Sequence, residues 1–177
     1  MRMTAEQVRA FADASGDHNP LHLDADRARR GPWGGPIVPG ALLTLAALSR
    51  LSRWESHGLA TVSATFRRPV EVDSAIPLAP VVRRQPGRID IDLRHAGRAA
   101  VSVRCTRAAT DAEKLDDTGG WRALDYRPRP GALRAVAAEL GAEHLPEPLL
   151  CWLAAVSWFA GMRHPGPRGL LTGFALT

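Results

Sequence analysis

The apolar positions along the chain change period several times, and each change marks an element. From Thr4 the apolar residues fall at helical spacing, with Val8, Phe11 and Ala12 on one face. Thr4 and Gln7 have the spacing of a capping box, and Ser15-Gly16 ends the helix. Residues 17–23 (DHNPLHL) read as an irregular segment, because a proline disfavours helix at the preceding Asn19. Asp24 can cap a short turn through Ala28, and GPWGGP at 31–36 reads as a loop. Pro39-Gly40 then opens ALLTLAALSRL, apolar on nearly every side until Ser49, so this helix is predicted to be buried all round.

Beyond it the period shortens towards two. Residues 59–66 and 76–83 carry strand signals, and Pro80 confines the second to an edge or an irregular strand. In 88–95 Ile89, Ile91 and Leu93 alternate with charge, and in 99–107 Val101, Val103 and Cys105 do the same. Ala96-Gly97 between them is a hairpin signal. Residues 109–130 turn polar and rich in Gly and Pro, as a linker would. After them ALRAVAAELG predicts a helix closed by Gly141, EPLLCWLAAVSWFAGM a second very apolar helix, and GLLTGFALT a strand. A strand with nothing after it would leave an unpaired edge, so this unit reads as incomplete. The pattern therefore predicts an α+β chain: a first domain at 1–108, a linker at 109–130, and a helix-helix-strand piece at 131–177.

Composition changes this picture little. With 177 residues, 45% of them hydrophobic, the chain can bury one ordinary core or one domain and part of a second. The longest strongly apolar stretch, Ala41–Leu48, is too short to span a bilayer, and no apolar signal core follows the first charges. A cytoplasmic protein without a membrane role is the expectation. Cys105 and Cys151 suit neither a disulfide framework nor a zinc site and read as small buried hydrophobes. The net charge of +5 is carried almost wholly by arginine, Lys114 being the only lysine. The arginines (Arg67, Arg68, Arg83, Arg84, Arg104, Arg107) are scattered, so a nucleic-acid partner is not expected. A solvated face is the ordinary reading, and an anionic partner such as a CoA phosphate or an acidic carrier protein is the alternative.

The stretch with chemical content is Phe11–Gly40, FADASGDHNPLHLDADRARRGPWGGPIVPG. Taken singly, an Asp beside a helix end is usually a cap, and a lone His is usually structural. Here a carboxylate and an imidazole stand five residues apart on a loop stiffened by Pro20, with Gly16 allowing a tight turn. Such a pair can hold one water or hydroxyl, with Asp17 as base or orienting group and His22 giving or taking a proton near neutrality. The free N–H groups of a helix starting at Gly40 would suit the oxygen of a thioester carbonyl. His18 is assigned no role.

The whole string resembles the MaoC-like, or (R)-specific enoyl-CoA hydratase, family. Phe11, Ser15, Gly16, Asp17, Asn19, Pro20, Leu21, His22 and Ala28 stand where that family's motif asks, and Pro36-Ile37-Val38-x-Gly40 is similar to its second signature. FRRPVEVDS is similar to its Phe-x-x-Pro-Val stretch, and the resemblance spans about residues 4–107. It implies the hot-dog fold, an antiparallel sheet wrapped round a central helix (here 40–52), with Asp17 and His22 as catalytic dyad and the Gly40 N–H as oxyanion hole. Asn19, Val38 and Pro39 are the candidates for contacts with substrate. Two departures stand out: Pro39 replaces the family's usual His, and Asp73 stands where Gly is common. The piece at 131–177 is more loosely similar to the start of a second, motif-free hot-dog unit.

The reaction so implied is addition or removal of water at the α,β bond of an acyl thioester, a hydro-lyase activity of fatty-acid or polyketide metabolism. It needs no metal and no redox cofactor, with CoA or phosphopantetheine as the substrate's handle. The implied partners are acyl-CoA or acyl carrier protein, and a homodimer or a partner completing the second unit. A non-catalytic acyl-thioester-binding or scaffolding subunit is the rival outside enzymes. A hot-dog thioesterase is the rival within them, but it would need a carboxylate on the central helix, and residues 40–52 contain none.

Overall fold

The structure is a computed structural model that describes residues 1–107 and 126–163, and the backbone of 173–176. Its elements in chain order are α1 (Ala5–Ser15), α2 (Pro20–Leu23), α3 (Ala25–Arg29), α4 (Gly40–Leu48), α5 (Arg53–His57), β1 (Thr61–Phe66), β2 (Ala79–Gln85), β3 (Arg88–His95), β4 (Arg98–Thr106), α6 (Pro130–Glu139), α7 (Glu147–Trp158), a π-helical turn at Phe159–Arg163, and β5 (Gly173–Leu176). The strands form one antiparallel sheet in the order β2-β3-β4-β1-β5. The α4 helix packs on β3 and β4 and is covered on another side by α7.

Local chemistry accounts for most boundaries. Thr4 caps α1 and forms the predicted capping box with Gln7, and Gly16 closes the helix at φ +74°. Ala96 and Gly97 both take positive φ (49° and 74°), as a two-residue turn between right-twisted strands requires. Pro80 lies in β2, at the edge of the sheet, where a missing N–H is tolerated. Asp73, at the position where Gly is common, does adopt a left-handed φ of 59°. Its carboxylate accepts the Ala5 N–H at 3.1 Å, a bond that glycine could not make.

Four expectations are corrected. Residues 17–23 are not wholly irregular: Asn19 is extended, as the following proline demands, but Pro20 is the first residue of the helical turn α2. Proline loses nothing there, because a first-turn N–H has no intrahelical acceptor. The central helix ends at Leu48 rather than 52, and Ser52 starts α5 with a second capping box to Glu55. The last strand is not isolated: β5 pairs on one side with β1, from Val62↔Leu176 to Thr65↔Gly173, and stands at the end of the sheet among the described residues. Cys151 is half-buried rather than core, unlike Cys105. The expected linker falls mostly outside the described residues.

On the charged face of β3 the arginines stay partly exposed to solvent but pair with the acidic residues. Asp90 accepts from Arg88 (2.8 Å) and Arg104 (3.0 Å), and Asp92 from Arg83 (2.8 Å) and Ser102 (2.7 Å). Arg84 binds Glu55 at 2.7 Å and Arg107 stacks 3.3 Å above the Trp54 ring. Much of the scattered arginine charge is thus used within the chain.

Candidate functional site

Asp17 directly follows the left-handed Gly16 that closes α1, and it is only 2% exposed. A buried carboxylate needs donors. Ser157, on α7, donates its hydroxyl to Asp17 Oδ2 at 2.6 Å, and the Asn19 N–H donates to Oδ1 at 3.3 Å. Asn19 in turn uses its side-chain oxygen to accept the Leu21 N–H at 3.0 Å, capping α2. The Asn-Pro pair therefore does two things: it stiffens the loop, and it starts the turn that presents His22.

His22 Nδ1 lies 2.7 Å from the Ile37 carbonyl oxygen. A carbonyl only accepts, so Nδ1 carries the hydrogen and a neutral ring has its lone pair on Nε2. Burial lowers the His22 pKa below its ordinary value of 6.5, against the opposing pulls of the Asp17 carboxylate and the Ile37 carbonyl. The imidazole is accordingly neutral at pH 7, with Nε2 able to accept a proton. The Ile37 segment that fixes this tautomer is itself held by a bond from the Val38 N–H to the Val70 carbonyl (2.8 Å).

Asp17, Asn19, His22, Val38 and Gly40 line one cleft, whose cavity volume is about 140 Å³. That is space for a handful of waters or the end of an acyl chain. Pro39, the other sequence candidate, is buried as the N-cap of α4 and does not line the cleft. Gly40 is the first residue of α4, whose leading N–H groups have no acceptor within the helix. The Phe66 ring lies against it so closely that a Cβ on Gly40 would stand 2.6 Å from the ring. Glycine here permits the ring to roof the helix terminus. His18 points away, its Nε2 4.0 Å from Asp13 on the exposed side of the loop.

Sequence reasoning missed the contributions from outside the motif. Trp33, Phe66 and Arg68 line the cleft, and so do Ser157 and Gly161 from the far end of the chain. Ser157 had a readable signal as a hydroxyl in an otherwise apolar run, AAVSWF; Gly161 had only its place at the end of that run. Nearby, Tyr126 stacks on Trp158 (centroids 5.0 Å apart), its hydroxyl buried without a hydrogen-bond partner among the described residues. Burial, with smaller contributions from Cys151 and Asp17, pushes that phenol up to about 12. Among the described residues no group of three His, Cys, Asp or Glu is placed to hold a metal.

Comparison with known proteins gives a consistent picture. Residues 1–93 match the profile described as MaoC like domain. Over 49 residues the chain is 51% identical to 3-hydroxyacyl-thioester dehydratase Z of Mycobacterium tuberculosis, covering 28% of this chain and 32% of that protein. Over 118 residues it is 27% identical to 3-hydroxybutyryl-CoA dehydratase of Methylorubrum extorquens, covering 64% of this chain and 69% of the relative. The chain thus spans about a third of the length of the first of these relatives. A solved MaoC-like dehydratase matches at a TM-score of 0.62 and 17% identity, covering 99% of this chain and 78% of the other, a likeness of fold.

Proposed function

The chain belongs to the MaoC-like domain family, and we propose that it adds or removes water at the α,β bond of an acyl thioester with Asp17 and His22 as its acid–base pair. The observation that carries this reading is the pairing in one cleft of a buried, hydrogen-bonded carboxylate with an imidazole whose tautomer is set by Ile37. In the hydration direction a water held between Asp17 and His22 loses a proton to one of them as its oxygen bonds the β carbon. The same pair returns a proton to the α carbon, so one water is consumed and nothing else is needed. Negative charge gathers meanwhile on the thioester oxygen, which the N–H of Gly40 at the start of α4 would bind. Dehydration is the reverse: the α proton leaves, and the departing hydroxyl is protonated.

CoA or a carrier-protein phosphopantetheine is the handle of such a substrate. Arg67 and Arg68 are exposed at the lip of the cleft, where they suit its phosphates. Asn19 and Val38 bound the acyl end, and Pro39 serves by starting α4 rather than by contact. Residues 131–177 are read as the opening of a second hot-dog unit, because α7 lies against the central helix and β5 continues the sheet beyond β1. A dimer, or a partner that extends this second unit, fits that reading.

Two rivals give different results with crotonyl-CoA and 3-hydroxyacyl thioesters. Turnover between the two is the expected outcome. Binding without turnover would favour an acyl-binding scaffold. Release of free CoA would favour a thioesterase, a role for which α4 offers no carboxylate.

A further inference from the structure

We propose that Ser157 of α7 is a positioning residue for Asp17, so that the helix outside the motif-bearing segment sets the geometry of the reacting carboxylate; this rests on the reading of Asp17 as part of the acid–base pair. A helical serine commonly points to solvent or returns its hydroxyl hydrogen to a carbonyl one turn back. A hydroxyl has one hydrogen, and that of Ser157 goes instead to Asp17 Oδ2 at 2.6 Å, across 140 residues of chain. Both groups are buried, Ser157 at 6% and Asp17 at 2% exposure. Water is therefore a poor substitute for the missing donor if the serine is removed.

Two further contacts come from the same stretch of helix. The Trp158 ring packs on Gly16, the residue that turns the chain into Asp17, close enough that a Cβ there would stand 3.3 Å from Cδ1. One turn beyond Ser157, Gly161 passes Asp17 so closely that a Cβ would collide with Oδ1. Gly161 lies in the π-helical turn Phe159–Arg163 that ends α7. Such wide turns recur at functional sites, where they re-aim a helix. The carboxylate is thus held by the Ser157 hydroxyl on Oδ2 and by the Asn19 N–H on Oδ1, and the close passage of Gly161 beside Oδ1 narrows its freedom to turn. Fixing that orientation beforehand removes a cost that the reaction would otherwise meet at each turnover.

The test is a kinetic cycle with crotonyl-CoA on the whole chain, using Ser157→Ala, Asp17→Asn and the double variant. For S157A the expected result is a kcat lower by about ten- to a hundredfold, with KM changed by less than about twofold. Ser157→Thr, which keeps the hydroxyl, should recover most of the rate. In the Asp17→Asn background, removing the serine should cost nothing more, because no carboxylate remains to be positioned. A serine that merely filled space would depress both backgrounds equally and would not discriminate between Ala and Thr. An unchanged kcat in S157A, or equal losses in both backgrounds, overturns the proposal while leaving the activity reading intact. If the wild-type chain turns over no thioester, the activity reading itself has failed, and the proposal with it.

Discussion

At the scale of single residues, the site depends on where each hydrogen sits. The Ile37 carbonyl fixes the hydrogen of His22 on Nδ1, and burial keeps the ring neutral. Because the folded-state pKa lies below 6.5, the unfolded chain takes up this proton first. Stability contributed by neutral His22 is therefore present above 6.5 and is lost as pH falls through 6.5 towards the lower folded-state value. Thermal melts between about pH 8 and pH 5 should show the wild type losing Tm faster on acidification than His22→Gln. Equal slopes would remove the argument. Gly161 supplies a second prediction. Gly161→Ala must push either Asp17 or the helix end aside, and the rate should fall by about a hundredfold while the melt changes less. Asp17, His22 and Gly40 were legible in the sequence because they share a short string. Gly161 was not, and Ser157 showed only as a hydroxyl in an apolar run, its partner unreadable because contacts over 140 residues leave no local spacing.

At the scale of elements, period and capping chemistry carried most of the information. The capping box at Thr4, the Ala96-Gly97 turn and the alternation in β3 and β4 were readable because each is a local rule applied over a few residues. The errors fell where two local rules competed. Asn-Pro reads as a helix breaker, yet the same proline suits a first helical turn, and the structure uses it so. The end of α4 was placed late because the apolar run continues to Leu51, which stays buried after the helix has ended. Within α4, Leu42 is fully buried between sheet and helices. Leu42→Ala should cost about 2–5 kcal/mol, measured by denaturant unfolding, since the cavity it leaves is closed on all sides. A cost near zero would mean that α4 is not the core helix.

At the scale of the whole molecule, the motif-bearing segment does not stand alone. The α7 helix covers α4, and α6 and α7 both pack on α1. Leu133, Leu145, Leu150 and Leu153 belong to the same buried cluster as Val8 and Leu42. A chain cut after Arg107 would expose that apolar surface and lose the donor to Asp17. It should lack a cooperative melt, and a sharp transition near the full chain's Tm would contradict this view of the core. From the sequence, 131–177 could be read as helix, helix and strand but not placed against the site. Placement depends on which faces of α4 and α7 meet, both of them apolar on nearly every side, and such a helix does not announce a face.

The central claim is that Asp17 and His22 together move the protons of thioester hydration. Its most direct measurement is kcat/KM for crotonyl-CoA in Asp17→Asn and His22→Ala beside the wild type, with melts confirming the fold of each. Each substitution should lower kcat/KM by about a hundredfold or more, and the double variant should be little worse than the weaker single, as expected of groups acting as a unit. Wild-type turnover that survives both substitutions would contradict the assignment.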